Sequence, residues 1–163
     1  MGRLETTHAL YKEITKTLID KKLSISSMES CTSGLLASFI SDTQGSSAIL
    51  SGSLITYSNA SKIQMGVDKK IIEEYGVYSI QTANEMAKAL FNVFPADFCV
   101  GITGSLSNAD PNNNDSIPGE VYYSILYKGE YHFEKVVLEE SERFLGKLEV
   151  LEKVGKKLLT LLS

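Results

Sequence analysis

The sequence has few of the side chains from which proteins build metal and redox sites. It contains two histidines and two cysteines among its 163 residues. Cys31 and Cys99 lack the paired spacing of a zinc site or a dithiol motif, and His8 and His132 lie far apart in the chain. We therefore expect no metal site and no cofactor, and we expect both cysteines to be buried thiols in a reducing compartment.

Two further absences limit the classes of partner. The formal net charge is −4, and the lysines are spread among acidic residues, so the basic stripe typical of nucleic-acid binding is missing. No apolar run approaches the roughly 20 residues that cross a bilayer. The opening Met1-Gly2-Arg3-Leu4 is unlike a secretory signal. These patterns predict a cytoplasmic protein without nucleic-acid or membrane partners.

Length and periodicity predict one α/β domain over residues 1–163, because a 43% hydrophobic chain of this size can bury a substantial core. Helices alternate with strands early in the chain, and a hairpin and a final helix follow. This order predicts a mixed sheet covered by helices on both faces. The predicted strands are 24–28, 48–57, 97–103, 121–127 and 131–138. The predicted helices are 8–21, one capped by Thr32 or Ser33, one capped by Asn59, one starting at Ser79 or Thr82, and one from about Ser141.

Hydroxyl groups cluster ahead of a single lysine, which is the most informative pattern in the chain. Ser30 lies in Glu29-Ser30-Cys31-Thr32-Ser33-Gly34, and Ser46 and Ser47 follow Gly45. Tyr57 and Lys62 come next, within Tyr57-Ser58-Asn59-Ala60-Ser61-Lys62. A desolvated lysine can act as the base that makes a serine nucleophilic without histidine or metal. The pattern indicates acyl transfer or amide hydrolysis.

Three of the candidate residues fall at predicted strand ends, where α/β sheets collect ligands. Ser30, Tyr57 and Thr103 each follow a predicted strand. Each also has an ordinary structural interpretation, because serines cap helices and tyrosines end strands. Lys62 taken alone is most often a solvated charge.

These three motifs, in this order and spacing, resemble those of the CinA C-terminal-domain family, the nicotinamide-nucleotide amidases. Their pattern is A-E-S-C-T-G-G, then G-S-S, then Y-S-N-x-x-K. Further matching segments are Gly76-Val77-Tyr78-Ser79, Gly101-Ile102-Thr103-Gly104 and Pro118-Gly119-Glu120-Val121-Tyr122. The resemblance implies a three-layer α/β/α sandwich and conversion of nicotinamide mononucleotide to nicotinic acid mononucleotide and ammonia. It also implies the stand-alone form of the domain. Self-association is expected as well, because family members commonly form oligomers. The tyrosines of the hairpin offer a contact surface for it, or they pack the sheet.

Residue roles carried over from the resemblance centre on Lys62, which matches the family's catalytic lysine. Ser47, the second serine of G-S-S, ranks first as its nucleophilic partner, and Tyr57 is expected to relay protons between them. Ser30 is expected in the pocket, holding the amide or the lysine. Further substrate contacts are expected from the following residues: Glu29, Thr32, Ser33, Gly34, Ser46, Thr103 and Gly104.

Two of these roles have specific physical reasons. The helix start at Thr32-Ser33-Gly34 suits a substrate phosphate, since free backbone N–H groups and the helix dipole favour negative charge, although it is also an ordinary N-cap. Glu29 is expected either to orient Lys62 electrostatically or to form a buried ion pair.

The sequence departs from the family pattern at two places. Ser33 stands where the family has the first glycine of T-G-G, and residues 105–115 replace a glycine-rich loop with serine, asparagine and aspartate. The altered loop leaves two alternatives to the amidase open. One is a nucleotide-binding or scaffolding homologue without activity, and the other is an amidase for a different amide.

Overall fold

One mixed sheet organises the computed structural model, which describes residues 2–163. The five strands are β1 (Ile25–Glu29), β2 (Leu50–Ile55), β3 (Phe98–Gly104), β4 (Glu120–Tyr127) and β5 (Glu130–Val137). The helices are α1 (Arg3–Lys21), α2 (Leu35–Ser41), α3 (Asn59–Gln64), α4 (Lys69–Tyr75), α5 (Ile80–Val93) and α6 (Arg143–Leu162), with a 3₁₀ turn at Ser46–Ala48.

The sheet has the strand order β2-β1-β3-β4-β5. β1 lies between β2 and β3 and runs parallel to both, whereas β4 and β5 extend the sheet in antiparallel directions. The predicted α/β class with a mixed sheet is therefore confirmed. Because parallel strands end at the same edge, the segments that follow β1, β2 and β3 leave the sheet next to one another.

Separate hydrophobic cores lie on the two faces of the sheet, which gives the three layers. On one face α1, α2 and α6 share a core with β1, β3 and β4, with Leu148 and Val100 among the buried residues. On the other face α5 packs against the sheet and α4 packs against α5, and Met28, Met86 and Leu90 are buried there. Burial of both faces explains why β1 and β3 are buried at every position.

The two longest helices, α1 with 19 residues and α6 with 20, pack against each other at the surface of the first layer. Their apolar stripes supply buried residues to the core, and their outer faces are polar. Among residues 2–163, no helix combines the length and apolar composition needed to span a membrane.

The starts of α1 and α3 differ from the sequence prediction, and one of the two predicted starts of α5 is selected. Ser58, not Asn59, caps α3, where it accepts a hydrogen bond from the Ser61 N–H. Ser79 caps α5 by accepting from the Thr82 N–H. α1 begins at Arg3 instead of residue 8, and α4 was not predicted.

The predicted hairpin is confirmed as β4 and β5, joined at Lys128 and Gly129, which both have positive φ as a tight turn requires. Two of the hairpin tyrosines pack within the sheet region. Tyr123 is fully buried, and Tyr127 stacks on Phe98 with ring centroids 4.1 Å apart.

Candidate active site

A cavity of about 410 Å³ opens at the edge of the sheet where the parallel strands end. It has the size expected of a small-molecule site. Its lining comes from the segments after β1, β2 and β3, from the connection between α4 and α5, from the loop 105–117 and from the start of α6. The lining residues of chemical interest are Ser30, Tyr57, Tyr78, Gly104, Asp110 and Arg143.

Ser30 and Lys62 meet beside this cavity. Ser30 directly follows β1, and its backbone N–H donates to the Ile102 carbonyl of β3 at 3.1 Å, which fixes the turn. Lys62 lies on α3 and is only 1% exposed. Its Nζ donates to the Thr56 carbonyl at 2.7 Å and to Ser30 Oγ at 3.3 Å. A lysine that sequence spacing alone would place in solvent is therefore buried against a serine.

Burial lowers the pKa of Lys62 from 10.5 to about 8, because the charged ammonium is desolvated. The negative charge of Asp110 acts in the opposite direction and keeps the pKa from falling further. A substantial fraction of this amine is therefore neutral at slightly alkaline pH. Only the neutral amine can accept a proton from Ser30.

Glu29 is fully buried, and no ion pair with Lys62, one of its two expected roles, is formed within residues 2–163. Its carboxylate accepts hydrogen bonds from four donors, which are the Ser27 hydroxyl, the Thr32 hydroxyl, and the N–H groups of Leu36 and Ala37. It therefore satisfies the N-terminus of α2 from inside the protein and positions the turn that carries Ser30.

The helix start after Thr32-Ser33-Gly34 was expected to hold a substrate phosphate, but the amides of the first turn of α2 already have acceptors within the protein. Leu36 and Ala37 donate to Glu29, and the Leu35 N–H donates to the Thr32 carbonyl at 3.0 Å. Neither Thr32 nor Ser33 caps the helix, since the N-cap is Gly34 in the left-handed region. The buried carboxylate occupies the position that a ligand anion would need.

Ser33 lies at a left-handed φ of 45°, which explains why glycine suits this position in the family. The serine side chain has a partner of its own. Lys147, on α6, donates from Nζ to Ser33 Oγ at 3.0 Å. The departure from the T-G-G pattern is thus accompanied by a contact between the turn and α6.

The structure does not bring Ser47 to Lys62, its expected partner. Ser46 and Ser47 form the 3₁₀ turn before β2, whereas Lys62 follows the end of that strand. β2 has six residues, so roughly 20 Å of strand separates the two ends. Ser47 is exposed, the Ser46 hydroxyl contacts the Ser41 carbonyl at 3.5 Å, and neither serine lines the cavity.

Tyr57 lines the cavity at its rim and is 61% exposed. Its hydroxyl accepts a hydrogen bond from Arg143 Nη2 at 3.3 Å and contacts neither Ser30 nor Lys62. In this geometry the tyrosine does not form the expected relay between lysine and serine. It instead holds the guanidinium of Arg143 at the cavity rim.

Thr103 and Gly104 end β3 next to the site. The Thr103 hydroxyl donates to the Val77 carbonyl at 3.0 Å and is buried, so it holds the neighbouring chain segment. Gly104 lines the cavity. A Cβ at this position would lie 2.6 Å from Val121 Cα, so only glycine permits the close approach of β4 here.

Residues of the altered loop reach the cavity and were not predicted as site residues. Asp110 accepts a hydrogen bond from the Tyr78 hydroxyl at 2.7 Å. Asn113 donates to Asp110 and exchanges amide hydrogen bonds with Asn59 at the start of α3. The replacement of glycines by polar residues was the available signal, and it indicates a loop ordered by side-chain hydrogen bonds.

Arg143 was also missed, because it precedes the clear apolar periodicity of the last helix. It is the first residue of α6, capped by the Glu142 carboxylate. Its guanidinium donates to Tyr57 and, at 3.2 Å, to Ser107 Oγ. Among the described residues, no carboxylate forms an ion pair with it. The charge is therefore free to meet an anion at the rim.

Cys31 follows Ser30 and lines the cavity. Burial raises the pKa of its thiol to about 12. The thiol is thus protonated at neutral pH and needs a base as the serine does. Ser30 is the better candidate because its Oγ contacts Lys62 Nζ.

A buried lysine amine held against a serine at the ends of parallel strands defines an α/β protein with a serine–lysine pair. The sequence pattern of the CinA C-terminal domain matches residues 7–159, so the chain belongs to the CinA C-terminal domain family. The resemblance noted from the motifs is confirmed.

Similar proteins support the same assignment. A CinA-like protein of Shewanella pealeana is 33% identical over 138 residues, which cover 84% of this chain and 32% of that protein. A CinA-like protein of Leptospira borgpetersenii is 33% identical over 127 residues, covering 77% of this chain and 30% of that protein. The chain therefore spans about a third of the length of these curated relatives.

Solved structures share the fold. The competence/damage inducible protein CihA of Agrobacterium tumefaciens has a TM-score of 0.88 at 25% identity, covering 100% of this chain and 98% of that one. A CinA superfamily protein of Enterobacter cloacae also has a TM-score of 0.88, at 22% identity, covering 96% of this chain and 92% of that one. The second likeness shows the fold alone.

Proposed function

We propose that this protein is an amidohydrolase that converts nicotinamide mononucleotide to nicotinic acid mononucleotide and ammonia. The observation that carries the proposal is the 3.3 Å contact between Lys62 Nζ and Ser30 Oγ beside a cavity of ligand size. The choice of nicotinamide mononucleotide as the substrate follows from the resemblance to the family. Ser30 replaces Ser47 as the nucleophile, because Ser30 Oγ, unlike the Ser47 hydroxyl, lies within reach of the lysine amine.

In the first half of the reaction, neutral Lys62 accepts the proton of Ser30 as Oγ attacks the carboxamide carbon. The lysine then gives this proton to the leaving nitrogen as the C–N bond breaks, which releases ammonia and leaves an ester on Ser30. In the second half, Lys62 takes a proton from water as the water oxygen attacks the ester. The proton returns to Ser30 Oγ as the C–O bond breaks and the acid leaves.

The developing oxyanion needs donors that are already in place. The Cys31 N–H is such a donor, because it follows the nucleophile at the cavity wall. Within residues 2–163 it donates to no backbone carbonyl, and its neighbour in space is the Cys31 thiol. The ammonium form of Lys62, created by the first proton transfer, adds a positive charge at the same place.

The phosphate is assigned to Arg143 instead of the start of α2. The guanidinium lies at the rim, is held by Tyr57 and Ser107, and has no carboxylate partner among the described residues. A planar guanidinium can donate two parallel hydrogen bonds to phosphate. The amide then points inward to Ser30 and the phosphate outward to solvent.

The test is ammonia release by the purified protein with nicotinamide mononucleotide. Lys62→Ala is the decisive variant, and Lys69→Ala on α4, an exposed lysine paired with Glu73, is the matched control. We expect release by the wild type and by the control, and loss of at least about a thousandfold in rate for Lys62→Ala. No release by a folded wild type, or near-normal release by Lys62→Ala, would refute the proposal.

A further inference from the structure

The cavity carries one charge of each sign, at different places on its wall. Among its described lining residues, Asp110 has the one carboxylate and Arg143 the one guanidinium. Arg143 lies at the rim, where it donates to Tyr57 and Ser107. Asp110 belongs to the loop 105–117, on the side of the cavity formed with Tyr78. A ligand in this cavity therefore meets an anion as well as a cation.

Asp110 is held in its charged form by three donors. They are the Tyr78 hydroxyl at 2.7 Å, the Asn113 amide at 2.6 Å and the Asn112 backbone N–H at 2.9 Å. The hydrogen bond from Asn113 is the largest cause that lowers the pKa of Asp110, followed by that from Tyr78. The carboxylate is therefore a fixed negative charge at neutral pH.

The same hydrogen bonds tie this carboxylate to the reactive pair. Asn113 contacts both Asp110 and Asn59, and Asn59 is the first residue of α3, which carries Lys62. The electrostatic influence of Asp110 on Lys62 shows that its field reaches the reactive end of the cavity. The half-buried ring of Tyr78 lines the cavity beside the carboxylate that its hydroxyl contacts.

We propose that Asp110, together with the ring of Tyr78, determines substrate specificity by selecting carboxamides borne on a positively charged aromatic ring over neutral aromatic amides. This inference rests on the proposed function. A ring cation is attracted to a fixed carboxylate and to the face of an aromatic side chain, whereas a neutral ring gains only packing. Asp110 and Arg143 together then match a ligand with a cationic ring at one end and a phosphate at the other.

The test measures binding, so that it does not depend on turnover. Ser30→Ala is used as the background to prevent hydrolysis. The two ligands are nicotinamide mononucleotide and its C-nucleoside isostere, in which a neutral benzamide ring replaces the pyridinium and the phosphate is kept. Calorimetry gives the ratio of the two dissociation constants for the Ser30→Ala protein and for the double variant that also carries Asp110→Asn.

We expect the Ser30→Ala protein to bind the cationic ligand about tenfold more tightly than the neutral one, and Asp110→Asn to remove most of this preference. The neutral ligand should bind both proteins within about twofold. Asp115→Asn is the matched control, because Asp115 lies in the same loop and accepts from the Tyr78 N–H but does not line the cavity. It should leave the ratio unchanged.

The outcomes separate the two proposals. If both ligands bind and the ratio is the same with and without the Asp110→Asn substitution, the specificity inference is overturned while the amidase proposal stands. An equal loss of affinity for both ligands also overturns it, since that result indicates a structural role for the loop. If a folded protein binds neither ligand, the proposed function itself fails, and the inference fails with it.

Discussion

Lys62 Nζ lies 3.3 Å from Ser30 Oγ because the register of two neighbouring strands brings their carboxyl ends together. Glu29, the last residue of β1, pairs with Ile55, the last residue of β2. The next residues, Ser30 and Thr56, therefore leave the sheet side by side, and the Thr56 carbonyl binds the lysine amine at 2.7 Å. The reactive contact is thus a consequence of sheet register.

The pH dependence of catalysis should follow the amine of Lys62. Its lowered pKa of about 8 means that kcat/KM should rise with pH through this value and level off above it, because the base must be neutral. Initial rates of ammonia release from about pH 6 to about pH 9 measure the profile. A flat profile across that range would exclude Lys62 as the base.

Removal of the Lys62 amine should stabilise the fold at neutral pH. The folded state lowers the pKa from 10.5 to about 8, so the buried ammonium costs about 3 kcal/mol at pH 7. Lys62→Met avoids this cost but leaves the Thr56 carbonyl without its donor, so we expect a net gain of about 2 kcal/mol in the free energy of unfolding. Urea denaturation gives this value.

The pH dependence of the stability gain in Lys62→Met tests whether the buried charge is its cause. Between about pH 8 and pH 10.5 the unfolded state binds the additional proton, so wild-type stability should rise with pH in that window relative to the variant. The advantage of Lys62→Met should therefore disappear near pH 10.5. An advantage that does not change with pH would show that packing, and not the charge, is responsible.

Arg143→Ala should weaken substrate binding without impairing the chemical step. Loss of one guanidinium contact to phosphate should raise KM for nicotinamide mononucleotide about tenfold and change kcat by less than about twofold. Nicotinamide riboside, which has no phosphate, is the control substrate and should show the same KM with either protein. A similar loss with both substrates would indicate that Arg143 positions Tyr57 instead of the phosphate.

The contact between Ser33 and Lys147 should offset the cost of a serine at positive φ. Ser33→Gly relieves about 1 kcal/mol of backbone strain but loses the 3.0 Å hydrogen bond from Lys147. In a double-mutant cycle with Lys147→Met, we expect a coupling of about 1 kcal/mol. Additive free energies of unfolding in the cycle would show that the contact does not contribute.

The sequence was sufficient for the layers and strands of this fold because burial on both faces gives β3 a nearly continuous apolar run and α5 a clear helical period. Caps were harder to place. Ser58 and Asn59 are both good caps, as are Ser79 and Thr82, and only the three-dimensional path of the chain selects between them.

The candidate site was predicted in part. Positions at strand ends predicted Ser30, Tyr57 and Thr103 at one pocket. Ser30 and Tyr57 line the cavity, whereas the lining residue of β3 is Gly104, the neighbour of Thr103. Ser47 was paired with Lys62 on the motif match alone, although the predicted strand 48–57 already lay between the two residues. Arg143 approaches from the other end of the chain, so no local pattern reveals its contact with Tyr57. Self-association, the single-domain organisation and the cytoplasmic location stay predictions.

The choice of nucleophile is the central claim, and the most direct test compares two serines. Ammonia release from nicotinamide mononucleotide should fall at least about a thousandfold in Ser30→Ala and stay within about twofold of wild type in Ser47→Ala. Melting temperatures should confirm that both variants are folded. Loss of activity in Ser47→Ala with retention in Ser30→Ala would contradict this account.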